Sequence, residues 1–174
     1  MNRTLILLSA GAVLFAQAAV AVETPTPKTA PAAFAPPKRG PGYDLALEAA
    51  REAVGSCMAK GFKIAASVVD SGGVTRATLA ADGAPQIAVQ SSAWKAVNSV
   101  RSGTTSGLAQ ARAEKDPAYA AQVRAQPDEL AHQGAVPLMV GGVVVGAIGV
   151  GGAASEQDEL CAQAGAAKIA DRLK

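Results

Sequence analysis

Two apolar runs joined by a pair of glycines near the end of the chain constrain its fold most strongly. The first run is AVPLMV at residues 135–140, the glycines are Gly141 and Gly142, and VVVGAIGV follows at residues 143–150. A two-residue glycine turn accepts the positive φ angles that a tight β-hairpin requires. A second hairpin is predicted over residues 62–80, where FKIAASVVD and VTRATLA flank a Ser-Gly-Gly turn. Two hairpins predict a mainly antiparallel sheet.

Helical patterns surround these hairpins. Apolar residues recur at three- and four-residue steps over residues 44–60, which predicts an amphipathic helix with Asp44 as its N-cap. A longer helix is predicted over residues 86–101. Residues 104–130 have a helical composition that two prolines interrupt, so one or two short helices are expected there. Hairpins rather than helical crossovers between the strands indicate the α+β class.

The glycines before the last predicted helix also resemble a dinucleotide-binding pattern. Gly149, Gly151 and Ala154 fit the spacing G-x-G-x-x-A, and Ser155 with Asp158 fits the S-x-x-D capping pattern of a helix start. A dinucleotide site needs a second parallel strand after that helix, whereas this chain ends while its pattern is still helical. We therefore interpret the glycines as positions where a strand passes close to another backbone. The N-terminus of the helix remains an alternative binding place for an anion.

The N-terminal part of the chain is typical of an exported protein. Residues 1–21 combine Arg3, an apolar run and small residues at Ala19 and Ala21, which predicts a cleaved secretory signal peptide. Residues 22–42 are rich in proline and alanine and predict a disordered linker. The folded domain is then expected over residues 43–174, in the periplasm or outside the cell.

Export changes the interpretation of the two cysteines, Cys57 and Cys161. Both fall on predicted helices, one near each end of the domain. In an oxidising compartment they can form a disulfide that closes a long loop. Two buried thiols are the alternative, because free cysteine packs as a small hydrophobic residue.

Composition excludes several functions. A net charge of +2 with no basic stripe gives no reason to expect nucleic-acid binding. The single histidine and the two cysteines without a C-x-x-C spacing cannot build a convincing zinc site. The motif G-x-S-x-G is absent, and the acidic pairs are sequence neighbours that point to different faces of a helix. A hydrolase is therefore not expected.

Among the function classes considered, binding of a preassembled cofactor is not excluded, since it needs only one or two protein atoms as ligands. Heme iron is held by His, Cys, Met or Tyr, and this chain offers His132, Met139, Met58, Tyr43 and Tyr119. Each also has a structural interpretation: the two methionines as core residues, and Tyr119 at a contact between helices. His132 lies in a polar loop before a strand, where an ordinary exposed histidine is the alternative to a ligand.

Several motifs together resemble the GlcG/HbpS-like heme-binding family, which also forms the C-terminal part of PduO-type corrinoid adenosyltransferases. They are SVVDSGGVTRATLAADGAP at residues 67–85, Lys95 with Ala96, QGAVPLMVGGVVVGAIGVGG at residues 133–152, and EQDELCAQAG at residues 156–165. Most matching positions are expected to be architectural, forming turns, caps and close backbone approaches. The matching positions are Asp70, Gly72, Gly73, Asp82, Gly83, Lys95, Gly134, Pro137, Gly146, Gly149, Gly151 and Asp158. Ser155 is expected to be structural as well, as a helix cap.

The resemblance implies about five mainly antiparallel strands with helices on both faces, in a profilin-like layered architecture. It also implies a homo-oligomer that binds heme or another tetrapyrrole. Candidate cofactor-binding residues are His132, which would ligate the iron, with Met139, Lys95 and Tyr119. Some family members place a histidine on the first helix, and this chain has none there.

The resulting hypothesis is an exported heme-binding protein for sensing, storage or handling of heme, with a sensor or transport protein as partner. Two alternatives stay open. One is an oligomeric assembly module without heme. The other is an enzyme on a small hydroxy or oxo acid, with Lys95, Asp70 and Asp82 as its working residues.

Overall fold

A computed structural model describes residues 40–174. The predicted signal peptide and the predicted linker up to residue 39 lie outside the described residues. The described part contains five α-helices, four β-strands and a short 3₁₀ turn. In chain order these are α1 (Tyr43–Met58), β1 (Ala65–Asp70), β2 (Thr75–Ala80), α2 (Gln86–Ser102), α3 (Ser106–Lys115), α4 (Pro117–Arg124), β3 (Ala135–Val140), β4 (Val143–Gly151), α5 (Ser155–Ile169) and the turn Ala170–Arg172.

The strands form one antiparallel sheet in the order β2-β1-β4-β3. Both predicted hairpins are present, and the α+β class is confirmed. The Gly141-Gly142 turn has φ angles of 56° and 80°, as a two-residue hairpin turn requires. The expectation of about five strands is wrong for the described residues. Two hairpins supply only four strands, and every other described segment is a helix or a connection.

Helices cover both faces of the sheet. Helices α1 and α5 pack on one face, and α2 packs on the other. The central strand β1 is buried at all six positions because it is covered from both sides. None of the described helices is long and apolar enough to cross a membrane.

Helix α2 rests directly on the glycines of β4. A Cβ atom on Gly149 would overlap the carbonyl oxygen of Ser92, and one on Gly151 would lie 2.9 Å from the carbonyl oxygen of Ala88. The strand also pairs antiparallel with β1 and β3 on its two sides, whereas a dinucleotide-binding strand lies in a parallel sheet. These glycines therefore bring a helix and a strand together backbone to backbone.

Small residues likewise allow close packing of α1 against α5. Gly165 of α5 faces Ala49 and Ala53 of α1, and a Cβ atom on it would lie 2.5 Å from the Ala49 carbonyl oxygen. Cys57 and Cys161 join the same two helices in a disulfide bridge, with their Cα atoms 5.8 Å apart. Of the two alternatives for the cysteines, the structure contains the bridge.

Some local expectations differ from the structure. The N-cap of α1 is Gly42, so Asp44 lies in the first turn of that helix. The N-cap of α5 is Ala154, and Ser155 is the first helical residue without a side-chain cap bond. The Asp158 carboxylate instead accepts a bond from the Ala153 amide at 3.0 Å. Asp158 therefore ties down the preceding turn without a reciprocal serine cap.

The two methionines expected in the core are also on the surface. The relative exposure of Met58 is 51% and that of Met139 is 42%. Met58 is the last residue of α1, and Met139 lies on the edge strand β3. A helix end and a sheet edge both leave side chains uncovered.

Candidate functional site

A buried ion pair lies where α2, β4 and α5 meet. The Lys95 ammonium donates to the Asp158 carboxylate at 2.9 Å and to the Val150 carbonyl oxygen at 3.1 Å. The two side chains are only 6% and 2% exposed. Burial of such a pair is tolerated only when further hydrogen bonds satisfy both charges, as they do here. The pair ties the helix on one face of the sheet to the first turn of α5.

Gly134 lies against this pair at the start of β3. A Cβ atom on Gly134 would stand 2.7 Å from Lys95 Nζ and 3.0 Å from the Asp158 Cβ, and the residue has a φ of 134°. Its carbonyl oxygen accepts a hydrogen bond from the Val150 amide at 2.8 Å. A larger residue would therefore displace the lysine or the strand.

His132 lies two residues earlier, on the surface. Its Nδ1 is 3.2 Å from the Ser155 hydroxyl and 3.5 Å from the Gln133 carbonyl oxygen. Its Nε2 makes no hydrogen bond with any residue between 40 and 174. A histidine ligand is usually oriented by a hydrogen bond at the ring nitrogen that does not bind the metal. The ring of His132 has this arrangement.

The loop that carries His132 is held at several backbone positions. The Leu130 amide donates to the Trp94 carbonyl oxygen at 3.2 Å, and the Gln133 amide donates to Gln110 Oε1 at 2.9 Å. The Ala135 amide donates to the Ser106 hydroxyl at 2.8 Å. The loop is therefore anchored to α2 and α3, which positions the imidazole.

The other candidate cofactor-binding residues lie elsewhere. Met139 lies four positions beyond Ala135, the first residue of β3, and is therefore about 13 Å along the strand from the end that follows the His132 loop. Tyr119 is a buried residue of α4 whose hydroxyl accepts a bond from Asn98 at 3.3 Å. Lys95 is close to Gly134, but its ammonium is engaged inside the protein. Among these four residues, only His132 presents a ligand atom that no other described residue binds. We call the exposed surface formed by His132, Gln133 and Ser155 the His132 rim.

The three residues expected to work in an enzyme acting on a small hydroxy or oxo acid do not lie in one cavity. Asp70 bonds the amides of Gly72 and Val74 and pairs with Arg76 at 2.7 Å, so it builds the first hairpin turn. Lys95 reaches the opposite end of the sheet, since Val150 pairs with Ala66. Four strand positions, about 13 Å, separate Ala66 from Asp70.

Asp82, the third of these candidates, lies exposed in the turn before α2. Between residues 40 and 174 no cluster of three or more His, Cys, Asp or Glu side chains could hold a metal ion. Three cavities are lined entirely by residues of this range, with volumes of about 280, 260 and 160 Å³. None of these three is lined by His132.

One buried polar cluster was missed by sequence reasoning. Asn98 is fully buried and donates to the Glu129 carboxylate at 2.8 Å, beside the largest of the three cavities. The sequence carried little signal for this cluster, because Asn98 stands between Val97 and Ser99 on a helix that mixes apolar and polar residues.

An antiparallel sheet between two helical layers, with one oriented histidine at its rim, defines a three-layer α+β protein of the kind expected from the motifs. A family model described as "Haem degrading protein HbpS-like" matches residues 42–167. The chain therefore belongs to the HbpS-like family. No curated protein sequence matches it.

Solved structures agree with this assignment. A double mutant of HbpS from Streptomyces reticuli is 31% identical, with a TM-score of 0.70 over 82% of this chain and 95% of that one. Protein ORFY of Klebsiella pneumoniae is 22% identical, with a TM-score of 0.70 over 83% of this chain and 100% of that one. A PduOC–heme complex is 20% identical, with a TM-score of 0.68 over 78% of this chain and 97% of that one. The last two similarities show the fold alone.

Proposed function

We propose that this protein binds heme, or a closely related tetrapyrrole, with His132 as the axial ligand. The observation that carries the proposal is the arrangement of the imidazole: Nδ1 is held by Ser155 and the Gln133 carbonyl oxygen, and Nε2 is unengaged among the described residues. Membership of the HbpS-like family and the PduOC–heme complex support heme as the ligand.

The residues present fit heme in their donor chemistry. An imidazole is a common axial ligand, and the bound group would supply a redox-active iron whose potential the ligand sets.

The rim is open, because the His132 side chain is exposed. We therefore propose that a second copy of the chain covers the tetrapyrrole, so that binding and homo-oligomer formation are coupled. Binding of a ligand to the assembled form alone stabilises that form by mass action. Without heme, the same chain would serve as an assembly module.

The location in the cell belongs to the same proposal. A signal sequence over residues 1–21 would deliver the protein to the periplasm or the exterior, where the Cys57–Cys161 bridge is stable. There the protein would sense, store or transfer heme, with a sensor or transport protein as partner. Mass spectrometry of the protein from the extracytoplasmic fraction should find Val22 as its N-terminus.

Titration of the purified chain with heme, followed by absorbance and by mass measurement, tests the proposal. We expect a saturable Soret shift that His132→Ala abolishes. Ser155→Ala should weaken binding by about tenfold, because loss of an outer-shell partner typically costs that much. Met139→Leu is the control, since it removes another exposed candidate ligand and should leave the spectrum unchanged.

A non-saturating response of the unmodified chain would refute heme binding and favour the assembly module. Saturable binding that is unchanged in His132→Ala would refute the ligand assignment. A spectrum lost in Met139→Leu but kept in His132→Ala would move the ligand to the far end of β3.

A further inference from the structure

The largest of the three cavities lies between the C-terminal end of α2, helices α3 and α4, and the segment after α4. Its volume is about 280 Å³, and no strand residue lines it. Pockets for drug-sized ligands begin at about 300 Å³, so this cavity suits a small metabolite and excludes a tetrapyrrole. Its walls carry two arginines, a tyrosine, a glutamate, two glutamines and a serine.

Hydrogen-bonding atoms without partners lie in one wall and directly behind it. Asn98 donates through Nδ2 to Glu129 and to the Tyr119 hydroxyl, both of which line the cavity, while its buried Oδ1 has no partner among the described residues. The Ser102 hydroxyl, which lines the cavity itself, is also buried without a partner in residues 40–174. Buried polar groups are normally satisfied, so the Ser102 hydroxyl, which can donate or accept, favours a polar ligand in this cavity.

The same wall holds a fixed negative charge. The Glu129 side chain is only 6% exposed, and its Oε2 accepts a bond from Arg101 at 2.9 Å. Arg101 also bonds Asp128 through two nitrogen–oxygen contacts. The hydrogen bond from Arg101 lowers the pKa of the Asp128 carboxyl, and the same bond raises the pKa of Arg101. Arg101 therefore pairs with both carboxylates, and its bond to Glu129 holds that side chain in position.

The other arginine, Arg112, makes no short ion pair with a described residue. Its guanidinium lies over the Tyr119 ring at 4.1 Å, and its side chain is 61% exposed. Its one acidic partner among the described residues is Asp116 at 3.5 Å, which is longer than a charge-assisted hydrogen bond. The other Asp116 oxygen accepts from the amides of Ala118 and Tyr119 as the cap of α4. Arg112 can therefore bind another carboxylate.

We propose that this cavity binds a free α-amino acid. The ammonium group of the ligand would donate to Glu129, whose carboxylate is held in place by Asn98 and Arg101. The carboxylate of the ligand would accept from Arg112, in the bidentate geometry that guanidinium favours. The Ser102 hydroxyl would bond one of the two groups. This site is separate from the His132 rim, so it adds a second ligand to the proposed function.

Calorimetric titration of the full chain with the common L-amino acids, each at millimolar concentration, tests this site. We expect saturable binding of at least one of them, and weaker binding of its analogues that lack the amino group or the carboxylate. Arg112→Gln should weaken binding by about tenfold, corresponding to about 1.4 kcal/mol. Arg124→Gln is the matched control, because it makes the same charge change nearby, on α4, at a residue that lines a different cavity.

Three outcomes would overturn the proposal. They are no saturable binding of any amino acid, equal effects of Arg112→Gln and Arg124→Gln, and equal binding of the acid without its amino group. The heme spectrum should stay unchanged in both arginine variants, so failure here is distinguishable from failure of heme binding.

Discussion

Two glycine-to-alanine changes on facing helices should shift stability in opposite directions. Gly55 of α1 is exposed, and a Cβ atom there meets nothing within 4 Å. Gly165 of α5 is buried, and its Cβ would lie 2.5 Å from the Ala49 carbonyl oxygen and 2.6 Å from Ile148 Cδ1. The chemical change and the helical context are the same, so the difference between the variants reports the packing.

The expected magnitudes result from two opposing contributions. Alanine is more favourable than glycine inside a helix by about 1 kcal/mol, and both variants gain this amount. Overpacking costs about 1–3 kcal/mol, and Gly165→Ala reaches the upper part of that range because one obstructing atom is backbone. Gly55→Ala should therefore be stabilised by about 1 kcal/mol, and Gly165→Ala destabilised by about 2 kcal/mol.

Urea and thermal unfolding of the oxidised protein, followed by circular dichroism, measure both changes. For a domain of this size we expect Tm to rise by about 4 °C in Gly55→Ala and to fall by about 8 °C in Gly165→Ala. Equal shifts in the two variants would refute the close backbone contact between α1 and α5. A stabilised Gly165→Ala would show that α5 can move away at no cost.

Two further changes test the cross-links of the fold. Reduction of the Cys57–Cys161 bridge, which spans 104 residues of sequence, should lower the free energy of unfolding by about 4–5 kcal/mol in the chain-entropy model. In urea unfolding, the double variant Cys57→Ser/Cys161→Ser should be as stable as the reduced protein, and reductant should not change its stability. A variant that reductant destabilises would contradict this. Lys95→Met should cost about 3–5 kcal/mol, because it leaves the Asp158 carboxylate buried and unpaired. Lys95→Met combined with Asp158→Asn should cost less than Lys95→Met alone, and strict additivity in a double-mutant cycle would argue against a coupled pair.

The layered fold was predictable because its strongest signals are local. A glycine pair between two apolar runs specifies a hairpin without information from distant residues, and both hairpins are where the pattern placed them. The close approach of Gly149 and Gly151 to another backbone was also predicted, and a Cβ atom on either glycine would meet backbone oxygens of α2. The fifth strand came from resemblance alone, and no segment of residues 40–174 supplies it.

The arrangement of the polar side chains was much less predictable. Asp158 was interpreted as a simple cap, yet its second oxygen binds Lys95 from a helix 63 positions away. Ser155 was interpreted as the partner in that cap, and instead it lies against His132. Such pairs depend on how two layers meet, and side-chain period within one element carries no information about the element across the sheet.

Small residues at two close contacts also determine where a ligand can bind. Glycines of β4 admit α2, and alanines of α1 admit Gly165 of the neighbouring helix α5, so these elements approach closely and leave little space between them. Accordingly, none of the three cavities described above is lined by a strand residue. A chain with only 3% aromatic residues has few large side chains to frame an interior pocket. Ligands of this protein are therefore expected at the periphery: a tetrapyrrole on the open rim at His132, and a small polar molecule between α2 and α4.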